Sequence, residues 1–220
     1  MARNSSEQIA FDLRAPAPKT FATFFQSGSN EDAVSWLRSP EKWSMPIFAL
    51  IGPSGSGKSH LAGAFTQLHK GRVLKADMPV PISECRGRVI ALDNAQMWSE
   101  ESLFILLNMA LNGDVPYLLL TDSHTPSLWD VKLPDLRSRL KNIPVTNLKL
   151  PDEALLEPII KQIFSDYGRE IDKNVIDYML IHCSRDINDI RKDIENIERT
   201  ARAANKDVTK RFVAKVLKAP

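Results

Sequence analysis

Apolar positions in this chain change rhythm twice, which divides it into three segments. From Pro46 to Leu150, short apolar runs without period-two alternation recur between helical stretches: "IFALIG", "VLKAD", "RVIALD", "YLLLTD" and "VTNLKL". Strands that are apolar on both faces and separated by helices predict a parallel sheet covered on both sides. Five strands are read this way, with "HLAGAFTQLHK" and "EESLFILLNMAL" as the clearest crossover helices and loops joining the later strands. After "LPDE" no strand-like run remains. Helices are expected over about Glu153 to Tyr167, Lys173 to Cys183, Ile187 to Ala204 and Val208 to Leu217. The third carries Ile187, Ile190, Ile194, Ile197 and Ala201 at three- and four-residue steps, a single apolar stripe. Two heptads are too few for a coiled coil, so a small helical bundle is the better account. Pro158 lies inside the first of these helices and predicts a kink or a late start there.

Ahead of the sheet, residues 1–19 mix Ser, Pro and charge, and Pro16 and Pro18 in "RAPAPK" exclude a helix. This segment reads as a flexible tail. From Thr20 to Leu37 the pattern is amphipathic, with Asn30 placed to cap a helix and Glu31 and Asp32 in its first turn. The expected organisation is a tail (1–19), an α/β domain (20–150) and an α-helical domain (151–220).

Composition narrows the classes without choosing among them. With 43% apolar and 25% charged residues in 220, the chain can build a full core and a smaller satellite without disulfides or metals. A net charge of +2 from 29 basic and 27 acidic residues gives no broad electrostatic case for wrapping nucleic acid. Cys85 and Cys183 lie far apart without metal-ligand spacing, and no apolar run follows "MARNSSEQ", so a reduced, cytoplasmic setting is expected. No stretch approaches the roughly 18 apolar residues that span a bilayer.

The chemistry is concentrated in a few short motifs. "GPSGSGKS", Gly52 to Ser59, follows an apolar strand and opens a helix, which is the phosphate-loop pattern. Its glycines let successive N–H groups point at phosphate oxygens, Lys58 reaches the terminal phosphates, and the Ser59 hydroxyl can ligate Mg²⁺. Asp93 ends "VIALD" and reads either as a metal-holding acid beside Ser59 or as a surface acid at a strand end. Asn94 follows it; an amide is no base at neutral pH, so intrinsic hydrolysis is expected to be weak. Thr121 and Asp122 end "LLLTD" and either face the γ-phosphate or cap a turn. Arg137 and Arg139 in "DLRSRL" are either a solvated basic face or include an arginine finger for a neighbouring subunit's nucleotide. Gln8, Ile9, Phe11 and Leu13 in "QIAFDL" read as an N-terminal strand or as an extended docking peptide.

In order, these motifs resemble the AAA+ ATPases, and more narrowly the nucleotide-binding domain of the DnaA family, over about Thr20 to Leu217. "TFATFFQSGSNEDA" is similar to that family's adenine-pocket segment, with Phe21, Phe24 and Asn30 at matching places. "GPSGSGKSHL" is similar to its phosphate loop, "LPDLRSRL" to the segment with the finger at Arg139, and "IDKNVIDYMLIHCSRDINDIRKDIENI" to its helical lid. The resemblance implies ADP or ATP with Mg²⁺ as ligands. The nucleotide would be held by Gly52, Pro53, Ser54, Gly55, Ser56, Gly57, Lys58, Ser59 and His60, with Thr121, Asp122 and lid residue Asn188. Asn188 stands where the family carries a sensing arginine, with Arg185 and Arg191 nearby as substitutes. No DNA-reading helix-turn-helix follows the lid before Pro220, and the interval between Lys58 and Asp93 is too short for the family's single-strand-binding insertion.

That pattern is similar to the Hda-type DnaA homologues. In that family the N-terminal peptide docks on the DNA polymerase sliding clamp, and the finger stimulates hydrolysis of DnaA-bound ATP. The resemblance thus implies the clamp and DnaA as partners, no sequence-specific DNA binding and no membrane; a monomer and a homo-oligomer are both compatible with it. Other readings are a helicase-loader-like ATPase acting on DNA, a clamp-bound scaffold in which Arg139 is idle, and a small-molecule kinase. A kinase would need acceptor groups on a lid inserted within the sheet domain, which this order of elements does not provide.

Overall fold

The computed structural model describes residues 18–76 and 80–217. Five parallel strands form one sheet: β1 (Ile47–Ile51), β2 (Arg72–Leu74), β3 (Ile90–Leu92), β4 (Leu118–Asp122) and β5 (Val145–Asn147), in the order β2-β3-β4-β1-β5. The central β1 pairs Ile51 with Asp122 of β4 on one side and with Asn147 of β5 on the other. All five residues of β1 and of β4 are buried, as the runs without alternation predict.

Period two nevertheless operates within each strand, because alternate residues feed different cores. Ile47, Ala49 and Ile51 of β1, Ile90 and Leu92 of β3, and Leu118 and Leu120 of β4 pack with Leu103, Leu106 and Leu107 of α4 (Glu100–Leu111). Phe48, Leu50, Ala91 and Leu119 face the other way, against Leu37 of α1 (Glu31–Arg38) and Leu61 and Phe65 of α2 (Lys58–Leu68). Trp43 stacks between Phe48 and Phe65, with ring centroids 4.9 and 5.5 Å away.

Two connections differ from the expected loops. A short helix, α3 (Ile82–Cys85), precedes β3, and α5 (Pro134–Lys141) carries the "DLRSRL" segment between β4 and β5. Pro134 in the first turn, Asp135 beside it and the buried i, i+4 pair Leu136 and Leu140 account for α5.

The helical segment comprises α6 (Glu153–Asp166), α7 (Lys173–His182), α8 (Ile187–Ala204) and α9 (Lys210–Leu217) around its own core. Ile190, Ile194, Ile197 and Ala201 of α8 are buried in it, with Ile160 and Phe164 of α6 and Val175 and Met179 of α7. The late start expected from Pro158 does not occur. Asp152 caps the helix by accepting from Leu155 N at 3.0 Å, so α6 begins at Glu153 and runs through the proline. No described helix is long and apolar enough to cross a membrane.

Candidate nucleotide site

The loop from Gly52 to Gly57 leaves the C-terminal end of the central strand and enters α2, so backbone conformation decides what it can hold. Gly55 (φ +69°) and Gly57 (φ +100°) adopt left-handed conformations. Gly52 is required by crowding: a Cβ there would overlap the Leu148 carbonyl oxygen and lie 3.1 Å from its carbon. Gly52 N donates to Asp122 O (3.1 Å) and Ser56 Oγ to Pro53 O (2.8 Å), which ties the loop to β4 and to itself.

Lys58 is buried, and its Nζ donates to the carbonyls of Gly52 and Pro53, both at 2.7 Å. Burial lowers its pKa; the carboxylates of Asp122, Asp93 and Asp186 pull it back up. Ser59 is exposed on the first turn of α2. Asp93, just beyond β3, accepts from Thr121 Oγ1 at 2.7 Å, and Thr121 is fully buried. Because β4 lies between β1 and β3, Lys58, Asp93, Thr121 and Asp122 come together at one sheet edge. Asp122 also organises the turns around it, accepting from Gln96 N (2.7 Å) and Ser123 N (2.6 Å). Asn94 is exposed with φ +53°, a conformation asparagine tolerates, and opens the 3-10 turn Ala95–Met97. Its residue type therefore has a backbone reason as well as the chemical one.

The N-terminal segment lies along the first turn of α2. Thr20 and Thr23 exchange backbone-to-hydroxyl hydrogen bonds of 3.1 and 3.0 Å, forming a compact hook. His60 Nε2 donates to Thr20 O at 2.9 Å, and the Phe24 ring lies 5.3 Å from the imidazole. Burial holds the His60 pKa below its ordinary value, with Thr20 O raising it and Lys19 and Arg191 lowering it further. Phe24 also closes on Gly57, where a Cβ would sit 2.9 Å from Cε2. Phe21 instead lies under the Arg38 guanidinium, 4.9 Å from ring centroid to Cζ. Asn30 occupies the cap position of α1 without capping it. Its amide donates to Phe25 O (3.0 Å) and accepts from Ser27 N (3.1 Å), so it shapes the segment from within.

The lid reaches the loop through α8. Asn188 Nδ2 donates to Ser54 Oγ at 3.2 Å, and Asp186 presses against Gly55. Asp186 is the cap residue of α8, accepting from Asn188 N at 2.7 Å; its contact with the loop depends on packing, for which the sequence carries no signal. Arg185 is engaged with Glu153 at 3.0 Å, whereas no described residue closes an ion pair on Arg191.

Arg139 stands apart from all of this. Its guanidinium bonds to Asn108 Oδ1 and to Asp135 Oδ2 (3.0 Å) and lies 5.1 Å over the Phe104 ring. Its partners belong to α4 and α5 alone, while Arg137 Nε donates to Val131 O at 3.0 Å. Gln8, Ile9, Phe11 and Leu13 fall outside the described residues.

The donors fit a nucleotide with its metal. Mg²⁺ commonly takes only one or two protein ligands beside water and phosphate, a demand that Ser59 and Asp93 can meet without a larger acidic cluster. Among the described residues there is no group of three metal-ligating side chains.

No family model matches the chain. An uncharacterized protein of Haemophilus influenzae is 26% identical over 191 residues, which cover 78% of this chain and 81% of that one. Domain III of the Thermotoga maritima replication initiation protein DnaA superposes with a TM-score of 0.75 at 16% identity, covering 92% of this chain and 96% of that domain. The initiator DnaA bound to AMPPCP and single-stranded DNA gives a TM-score of 0.65 at 21% identity, over 88% of this chain and 70% of the initiator. The Thermotoga maritima RuvB Holliday junction branch migration motor gives 0.68 at 17% identity, over 91% and 72%. The protein therefore has the AAA+ fold, with a five-stranded parallel sheet flanked by helices.

Proposed function

We propose that this protein binds an adenine nucleotide and regulates initiation of chromosome replication, acting on ATP held by DnaA rather than on its own. The observation that carries this reading is the division of the chemistry between two places. The phosphate loop, Asp93 and Thr121 converge at one sheet edge, while Arg139 is held between α4 and α5 with no contact to that loop. An arginine so placed can stabilise phosphoryl-transfer charge only on a nucleotide bound by another molecule.

When bound, Mg²⁺ would neutralise phosphate charge; Ser59 and Asp93 would hold it. The residues of this chain do the rest. Gly55 and Gly57 open the loop, Lys58 would exchange its carbonyl partners for phosphate oxygens, and Phe24, packed against His60, would border the base. Asn94 supplies no base for attacking water, so the nucleotide would serve chiefly to fix the sheet domain against the lid. The AMPPCP-bound initiator among the structural neighbours supports adenine as the base. The peptide Gln8–Leu13 would hold the protein on the DNA polymerase sliding clamp.

The test is hydrolysis of ATP pre-bound to the cognate DnaA in the presence of DNA-loaded clamp. Wild-type protein should stimulate it by up to about 10³-fold, as arginine fingers do. Arg139→Ala, and the double variant Gln8→Ala with Phe11→Ala, should both lose the effect. Absence of stimulation by the wild type overturns the reading.

A further inference from the structure

The first turn of α8 rests on the phosphate loop so closely that Gly55 has no room for a side chain. A Cβ there would overlap Asp186 Oδ1 and lie 2.8 Å from Ile187 N. Beside it Asn188 Nδ2 donates to Ser54 Oγ, so the lid touches two successive loop residues, one through a carboxylate and one through an amide. The charge is the unexpected part. A surface built to receive phosphate gains from donors and cations, and here the lid presents an acid.

Helix capping does not require that charge. Asp186 Oδ1 accepts from Asn188 N at 2.7 Å, and asparagine or serine caps a helix about as well as aspartate. Among the described residues no ion pair closes on Asp186, and the adjacent Arg185 is turned to Glu153. The cation it does influence is Lys58, the loop's own phosphate ligand, whose pKa it helps to raise.

Resting on the reading that the loop binds nucleotide, we propose that Asp186 is an internal competitor of the phosphate ligand, weakening binding in proportion to the ligand's negative charge. Phosphate entering between loop and lid meets a fixed like charge, so it must displace the lid's first turn or accept the repulsion. A unit charge at a partly buried site is felt over several ångströms. The lid contact and the anion therefore oppose one another.

The test compares wild type with Asp186→Asn and Asp186→Glu, titrating each with fluorescent N-methylanthraniloyl ADP and ATP in Mg²⁺ at low salt. Asp186→Asn keeps the cap and removes the charge, so it should bind about tenfold tighter, with the larger gain for the triphosphate. The gain should shrink at high salt, and Asp186→Glu should show none of it. If wild type binds and Asp186→Asn binds equally or more weakly, Asp186 is a helix cap alone and the proposal is overturned while nucleotide binding stands. If neither protein binds either probe, the nucleotide reading and the proposal fail together.

Discussion

Thr121→Val isolates one hydrogen bond that belongs both to the fold and to the candidate site. Thr121 is fully buried in β4, and its hydroxyl donates to Asp93 Oδ1 at 2.7 Å. Valine preserves the branched shape and replaces the donor with a methyl group. A hydrogen bond to a charged acceptor contributes about 1.5–3 kcal/mol. Asp93 is only partly buried, so water can restore some of the lost interaction and the net cost should fall near ~1–2 kcal/mol. For a chain of this size each kcal/mol shifts Tm by about 2–4 °C, so thermal unfolding should move down by ~2–8 °C. The same substitution frees the Asp93 carboxylate to rotate away from the loop. Mg²⁺-dependent nucleotide affinity should therefore fall by more than the Mg²⁺-independent part. Thr121→Ser should recover most of both effects, because it restores the donor. A Thr121→Val protein with unchanged Tm and unchanged Mg²⁺ dependence would refute the argument that this bond orders the site.

Three other changes probe the neighbouring elements. Gly52→Ala puts a methyl group into the Leu148 backbone where β5 leaves the sheet, and backbone cannot rotate aside; the cost should be about 2–3 kcal/mol, read as a matching fall in Tm. Glu198→Ala strands Arg169, which is bonded to the buried Glu198 carboxylate at 2.7 Å; since the Arg169 side chain is 27% exposed, a loss of about 2–3 kcal/mol is expected rather than the full cost of a buried pair, and hydrogen exchange should localise it to α6–α9. His60 has a folded pKa below its ordinary ~6.5, so folding favours the neutral ring; the unfolded chain takes up the proton first as pH falls through ~6.5, and stability drops from there down to the folded value. His60→Gln, which keeps a donor for Thr20 O, should flatten that part of the profile when unfolding is followed at pH 7.5 and at pH 5.5.

The strands, the phosphate loop and the helical segment were legible because each rests on a local signal. Unalternating apolar runs mark strands covered on both faces, and "GPSGSGKS" encodes a backbone shape directly. The hydrogen bond of Thr121 to Asp93 has no signal in the sequence, since it needs β4 to lie between β1 and β3, and strand order is not written in any one strand. Helix α5 carries no periodic signal, because Leu136 and Leu140 are its only buried residues. Asn30 shows the opposite failure. Its position before Glu31 matches a cap, yet a competing local bond to Ser27 N and Phe25 O takes the side chain. At Pro158 a kink and a late start are both compatible with the sequence, and the cap that Asp152 supplies upstream excludes the late start.

The residues hardest to read are those whose meaning lies across the gap between the two cores. Ser27 Oγ donates to Asp152 Oδ2 at 2.9 Å, Asn188 meets Ser54, and Asp186 meets Gly55, so the lid touches the N-terminal segment at its first helix and the phosphate loop at its third. These contacts are few and polar, whereas the sheet and the lid each bury an apolar cluster of their own. A ligand seated between loop and lid therefore acts on a polar joint, where each such contact contributes on the order of 1 kcal/mol. Binding energy spent there can shift the lid without unfolding either core. Arg139, held by Phe104 and Asn108 on the opposite side of the division, would feel such a shift only through the sheet. It follows that nucleotide occupancy should change the lid's hydrogen exchange far more than that of α4 and α5; equal protection in both would mean that the two cores move as one body.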